Sequence, residues 1–185
     1  EKEYIMRSVT INNLTFDEFL TPQDIAGIVE HVAKRINADY EGKSPMFICA
    51  LNGAFVYAAD LFRRITLPAD ITFVRLKSYD GTLSTGEVDL ITPLYESVQG
   101  RDVIIIEDIV DSGLTMHFFR QMLLDAGAES VALTAFLFKP EALQYEDARP
   151  EYIGKEIPKK FIIGYGLDLD DQARNLDAVY QLRTE

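Results

Sequence analysis

Three carboxylates and two hydroxyls fall within nine residues of this chain: Glu107, Asp108 and Asp111, then Ser112 and Thr115 with Gly113 and Leu114 between them. The two kinds of group suit different parts of a ligand. Ser112 and Thr115 supply hydroxyl donors, and Gly113 has no side chain to block approach, so this stretch fits a phosphate cradle. The adjacent acids suit a hard cation or the hydroxyls of a sugar, and not the phosphate itself. A strand ending in a solvated acidic turn is the plainer reading. Against it, like charges packed together raise the cost of folding unless something neutralises them.

The flanking residues say how these groups are positioned. Val103, Ile104, Ile105 and Ile106 form a β-branched run, expected as a strand buried on both faces, with Glu107 and Asp108 following its end. After a turn through Asp111, Ser112 and Gly113, the apolar residues Met116, Phe119, Leu123 and Ala126 recur at helical spacing. In open parallel sheets ligands sit beyond the carboxyl ends of the strands. There the next helix offers free N–H groups and the positive end of its dipole.

The 185 residues suit one compact domain with a substantial core, and 48% hydrophobic with 26% charged residues is ordinary for a globular chain. No apolar run is long enough to span a bilayer, and the opening EKEYIMRS has no signal-peptide core, so a cytoplasmic location is the expectation. The single cysteine, Cys49, excludes an internal disulfide and a thiolate zinc cluster, and is expected as a packed small hydrophobe. A net charge of −12 argues against a nucleic-acid or anionic-membrane partner. It also requires local cations or a metal to outweigh the protein's field wherever a phosphate binds.

Thr21-Pro22-Gln23-Asp24 reads as a capped helix start, followed by an apolar face of Ile25, Ile28, Val29, Val32 and Ile36 with His31 on the outer surface. Pro45–Leu51 is a strand, and Asn52-Gly53-Ala54 turns into a helix through Phe55, Ala58, Leu61 and Phe62. Ile71–Lys77 is another strand. The polar stretch from Ser78 and Tyr79 to Gly86 is a loop, and Val88–Thr92 is a returning strand. Val131–Phe138 is a buried strand ending at Lys139, whose charge needs a partner there. From Tyr145 to Lys160 the polar, proline-punctuated sequence suggests that the parallel pattern lapses. Short strands follow at Phe161–Gly164 and Ala178–Leu182. Alternating strand and helix signals imply a parallel, doubly wound α/β sheet.

The run from Glu107 to Thr115, EDIVDSGLT, resembles the phosphoribosyl diphosphate signature of the type I phosphoribosyltransferases, most closely their hypoxanthine-guanine branch, and the likeness extends from about Leu51 to Arg174. It implies the type I phosphoribosyltransferase fold, a mostly parallel sheet flanked by helices. The single domain would cover 1–185, with a core of about 20–145 and a small hood from the C-terminal part and the N-terminal segment. The implied reaction is purine salvage: 5-phosphoribosyl passes from phosphoribosyl diphosphate to N9 of hypoxanthine or guanine, giving IMP or GMP and pyrophosphate.

Each site residue takes its role from the same resemblance. Asp111 would meet purine N7 as general base or acid. Ser112, Gly113, Leu114 and Thr115 would hold the 5-phosphate, while Glu107 and Asp108 lie near the ribose hydroxyls and a Mg²⁺ ion. Asp168 is implied near a pyrophosphate-side Mg²⁺. Asn52, Gly53 and Arg174 would contact pyrophosphate, and Ser78 and Tyr79 would belong to a loop that closes over the site. Lys139 would donate to the 6-oxo group, Phe161 would stack on the base and Ile162 would hold its edge through backbone groups. On residue type alone, core packing is the simpler account of Phe161. Leu114 and Asn52 stand where relatives often carry basic residues. A homodimer or tetramer is the expected assembly. A xanthine-preferring enzyme and a non-catalytic nucleotide sensor are the rival readings; the sensor predicts a basic face and loss of the acid at Asp111.

Overall fold

The computed structural model describes residues 7–77 and 89–184. Its elements in chain order are β1 (Ser8–Ile11), β2 (Leu14–Leu20), α1 (Pro22–Asp39), β3 (Met46–Leu51), α2 (Phe55–Phe62), β4 (Asp70–Lys77), β5 (Asp89–Leu90), β6 (Asp102–Val110), α3 (Leu114–Asp125), β7 (Ser130–Phe138), β8 (Tyr152–Glu156), β9 (Ile162–Ile163) and β10 (Val179–Leu182). A main sheet runs β5-β4-β3-β6-β7-β8, with every pair parallel except β4–β5. A second, antiparallel sheet, β1-β2-β10-β9, joins the two ends of the described chain.

The strand alternation decides which helix covers which face. Phe47, Cys49, Ile104 and Ile106 pack with Ile25, Val29, Val32 and Ile36 of α1 and Tyr57, Ala58 and Leu61 of α2. Their neighbours Met46, Ile48, Val103 and Ile105 pack on the other side with Met116, Phe119 and Leu123 of α3. Burial on both faces explains the uninterrupted apolar runs, each such side chain contributing about 1.5–3 kcal/mol. The start of α1 is a capping box: Asp24 N–H donates to Thr21 Oγ1 (3.1 Å) and Thr21 N–H to the Asp24 carboxylate (2.9 Å). His31 is exposed and Cys49 is fully buried, its thiol pushed up to about 12 by desolvation.

Three expectations change. β6 does not stop at Ile106. Its pairing with β7 continues through Glu107, Ile109 and Val110, because the backbone ladder is indifferent to the charge its side chains carry. Residues 145–160 do not leave the parallel sheet, since β8 lies beside β7 at its edge. Gly154 is what lets the strand fit: a Cβ there would lie 2.4 Å from the Phe136 carbonyl oxygen and 2.8 Å from Ile28 Cγ2. Finally, Ala126 is the exposed C-cap of α3 and not part of its apolar face.

Candidate active site

Beyond the carboxyl end of β6 the chain turns through Asp111-Ser112-Gly113 into α3. Gly113 is left-handed (φ 82°) at the N-cap, and Leu114 N–H donates to Ser112 Oγ at 3.3 Å. The first N–H groups of a helix have no intrahelical partner, so those of Thr115 and Met116 are free for an anion. A cavity of about 260 Å³ opens here, lined by Glu107, Asp111 to Thr115 and the apolar residues Ala50, Leu51, Leu76, Ile109, Val110 and Met116. Sequence reading did not single out that apolar wall, because a strand-end aliphatic carries no chemistry in its type. Gly113 serves a different purpose from leaving room for a ligand. A Cβ on it would meet Ala148 Cβ at 2.8 Å and Leu143 Cδ1 at 2.9 Å, so its smallness seats the 140–148 segment against the loop. Gln144 N–H fastens the same segment to the Ser112 carbonyl (2.9 Å).

Lys139, at the end of β7, finds its partner in Asp111: Nζ lies 2.9 Å from Oδ2. The lysine side chain is 12% exposed and the aspartate 52%. One group is therefore held by protein while the other stands open to an incoming molecule.

A second group of residues meets around Asp108. Asp108 packs against the β3–α2 turn so closely that a Cβ on Gly53 would lie 1.7 Å from its Oδ2, with Arg174 Nη1 3.5 Å away. The Leu51–Asn52 peptide in that turn is cis, and Asn52 is exposed. Arg174 pairs with Asp168 at 3.0 Å and donates to the Gly166 carbonyl at 2.8 Å. Asp168 also accepts from Asp171 N–H at 2.8 Å. Burial pushes the Glu107 carboxyl well up, and the neighbouring Asp108 charge adds to the shift. Desolvation also raises Asp108, opposed by its hydrogen bonds and by Arg174. Two crowded acids short of counter-charge form an oxygen donor set suited to Mg²⁺, which takes one or two carboxylates and completes its shell with water and phosphate. No cluster of three or more His, Cys, Asp or Glu side chains able to hold a metal occurs among the described residues.

The remaining candidates lie apart from the cavity wall. Phe161 is not a core residue: it is 47% exposed, with its ring 6.2 Å from that of Phe16 in the small sheet. Ile162 buries its side chain in the main core. Ser78 and Tyr79 lie outside the described residues. Among the described residues, Lys139 and Arg174 are brought to the site and each is paired with an acid.

A parallel α/β sheet that gathers hydroxyls, free helix amides and crowded acids at its carboxyl edge has the groups that suit a phosphorylated ligand. The family model for the phosphoribosyl transferase domain matches residues 15–170, and the chain belongs to that family. It is 36% identical over 164 residues to a hypoxanthine-guanine phosphoribosyltransferase of Streptococcus thermophilus, covering 88% of this chain and 91% of that one. One from Staphylococcus aureus is also 36% identical, covering 90% and 93%. A crystal structure of a hypoxanthine-guanine phosphoribosyltransferase from Bacillus anthracis superposes with a TM-score of 0.85 at 34% identity, covering 91% of this chain and 97% of that one. The fold is that of the type I phosphoribosyltransferases.

Proposed function

We propose that this chain transfers the 5-phosphoribosyl unit from phosphoribosyl diphosphate to N9 of hypoxanthine or guanine, with Mg²⁺, acting in the cytoplasm as a homo-oligomer. The observation that carries the reading is the Lys139–Asp111 pair at 2.9 Å. A 6-oxopurine presents the N7 and O6 acceptors side by side on one edge, whereas adenine replaces O6 with an amino donor. A lysine donor beside an acid therefore selects hypoxanthine or guanine. Lys139 would donate to O6, and the Asp111 carboxylate would accept from N7–H of the free base, whose imidazole proton sits on N7 so that the N9 lone pair is free to attack. As the N9–C1 bond forms and the bond from C1 to pyrophosphate breaks, the N7 proton passes to Asp111, leaving N7 unprotonated in the nucleotide. The Asp111 charge also favours the cation developing between sugar and base.

Phe161, half-exposed, is the aromatic platform for the base, and the backbone of Ile162 meets its edge. Ser112, Gly113, Leu114 and Thr115 hold the 5-phosphate through amides and hydroxyls. Glu107 and Asp108 receive the ribose hydroxyls and would lie near a Mg²⁺ ion bound there, while Asp168 would lie near a Mg²⁺ ion on the pyrophosphate side. The metal, when bound, neutralises the diphosphate leaving group. Asn52, Gly53 and Arg174 line its exit. In this reading the chain is one domain, with the small sheet as a hood over the base.

Incubation with phosphoribosyl diphosphate, Mg²⁺ and each purine tests the proposal: IMP and GMP are expected, and no nucleotide from either base rejects it. Competition with xanthine ranks the 6-oxopurines. Asp111→Ala should bind the donor within a few-fold of wild type and lose about 10²–10⁴ in kcat, the usual worth of a positioned acid or base. Unchanged turnover would remove Asp111 from that role.

A further inference from the structure

The turn that carries Asp168 and Arg174 is held in a conformation its own residues disfavour. Tyr165, Asp170, Asp171 and Ala173 all have left-handed backbones, with φ of 51°, 51°, 62° and 76°. Side chains with a Cβ resist that region, bulky ones most, so such a turn persists only when its surroundings impose it. Part of the restraint is internal: Gly166 N–H donates to the Arg174 carbonyl and Tyr165 N–H to the Leu176 carbonyl, both at 3.0 Å.

Among the described residues, two side-chain hydrogen bonds fasten residues 164–174 to other elements. Asn12 Nδ2, at the β1–β2 hairpin tip, donates to Asp170 Oδ2 at 2.9 Å. Tyr165 Oη donates to Asp60 Oδ2 on α2 at 2.7 Å. The second is the better anchor. Tyr165 is 4% exposed, its ring packs 4.8 Å from that of Phe136, and α2 is the helix that the Asn52–Gly53 turn opens into. At the next residue the contact is direct, since a Cβ on Gly166 would lie 2.1 Å from the Gly53 carbonyl oxygen. The hydroxyl of Tyr165 thus ties together the two segments that bring Gly53 and Arg174 against Asp108.

We infer that Tyr165 and Asp60 are positioning residues for the diphosphate end of the site: their hydrogen bond sets the spacing between the Gly53 turn and the Asp168–Arg174 turn, and so selects for the diphosphate of the donor and not for the base. The inference rests on the proposed reaction. Neither residue touches the reacting atoms.

Tyr165→Phe keeps the ring packing and removes only the bond. It should raise the KM for phosphoribosyl diphosphate, and for pyrophosphate in the reverse reaction, by about tenfold, since small misplacements at a positioned site are costly. The purine KM should stay within about twofold on the same grounds. Asp60→Asn retains an oxygen that accepts from the tyrosine hydroxyl and should restore near-wild-type KM, whereas Asp60→Ala should reproduce the loss. Arg63, exposed and paired with Asp60 at 2.5 Å, supplies the control, because Arg63→Ala leaves the tyrosine bond intact and should leave both KM values unchanged. If Tyr165→Phe does not fold, the Asp60→Ala and Asp60→Asn comparison reads the same bond. An active wild type whose variants lose thermal stability but keep their donor and pyrophosphate KM overturns this inference alone. A wild type that forms no nucleotide overturns the functional reading beneath it.

Discussion

Between Asp111 and Thr115 one continuous stretch of chain supplies an acid, two hydroxyls and the open end of a helix, while across the site Gly53, Asp108, Asp168 and Arg174 come from three separate segments. The first region is local and neutral apart from Asp111, and it is held by backbone bonds such as Gln144 N–H to the Ser112 carbonyl. The second is crowded with charge and depends on left-handed backbone and long-range contacts. Each has an indispensable glycine, for opposite reasons. Gly113 is required by its φ and by the neighbours it packs under. Gly53 has an ordinary backbone and is required only because the Asp108 carboxylate occupies the space of a Cβ.

Alanine at each position should therefore separate the two plans, with the largest effects expected here. Gly53→Ala must displace the Asp108 carboxylate, whose other oxygen accepts from Ile109 N–H at 2.7 Å. The fold should survive, and kcat/KM for the donor should fall by about 10²-fold, the scale of a 1 Å error in a positioned group. Gly113→Ala should instead lower stability by about 1–3 kcal/mol through strain and overpacking. Parallel thermal melts and donor kinetics on the two variants check this. Equal losses of stability in both would mean that the two turns are not built differently.

The same contrast explains what could be read in advance. The 103–115 region was legible because its chemistry, its turn and its helix are contiguous, and the apolar runs of β3, β6 and β7, alternating with helices, implied a parallel sheet with this turn beyond the carboxyl end of a strand. The contact of Gly53 with Asp108, the anchoring of Tyr165 by Asp60 and the insertion of β8 beside β7 all depend on residues distant in sequence. Gly154 belongs with them, since the strand–helix approach that demands it brings in Ile28, far away in sequence. Phe161 could have been placed in the core on its type alone, and only its position at the rim of the small sheet leaves it half-exposed.

A smaller effect tests the charge crowding itself. The Glu107 carboxyl is raised in the folded protein, so the native state holds more protons than the unfolded one from the ordinary carboxylate range upward. Stability of the ligand-free protein should then fall as pH rises out of that range and through the raised folded value. Glu107→Gln should flatten that decline and be the more stable form at pH 8. Each kcal/mol relieved should raise Tm by about 2–4 °C in a chain of this size. The donor with Mg²⁺ should raise the Tm of the wild type more than that of the variant, because the bound charges offset the crowding only where the carboxylate exists. Melts from pH 5 to 8 with and without donor settle it, and a parallel decline in the variant would remove Glu107 as its source.

The smallest expected effect falls on the phosphate side, where Leu114 lines the cavity with an apolar side chain. No cationic side chain lies among Ser112 to Thr115, so the 5-phosphate depends on neutral donors there. Neutral donors feel the ionic atmosphere less than a lysine does, because screening acts on charge–charge attraction. Donor binding should accordingly weaken only gradually with added salt. Leu114→Lys should strengthen it by a few-fold at low salt, about 0.3–1 kcal/mol for a charge–phosphate contact at a partly exposed position, and should make the salt dependence steeper. Titration of donor affinity from low to physiological ionic strength in both forms measures the difference. A wild-type slope as steep as that of the variant would mean that a cation from elsewhere reaches the phosphate, and that this loop is less neutral in operation than in composition.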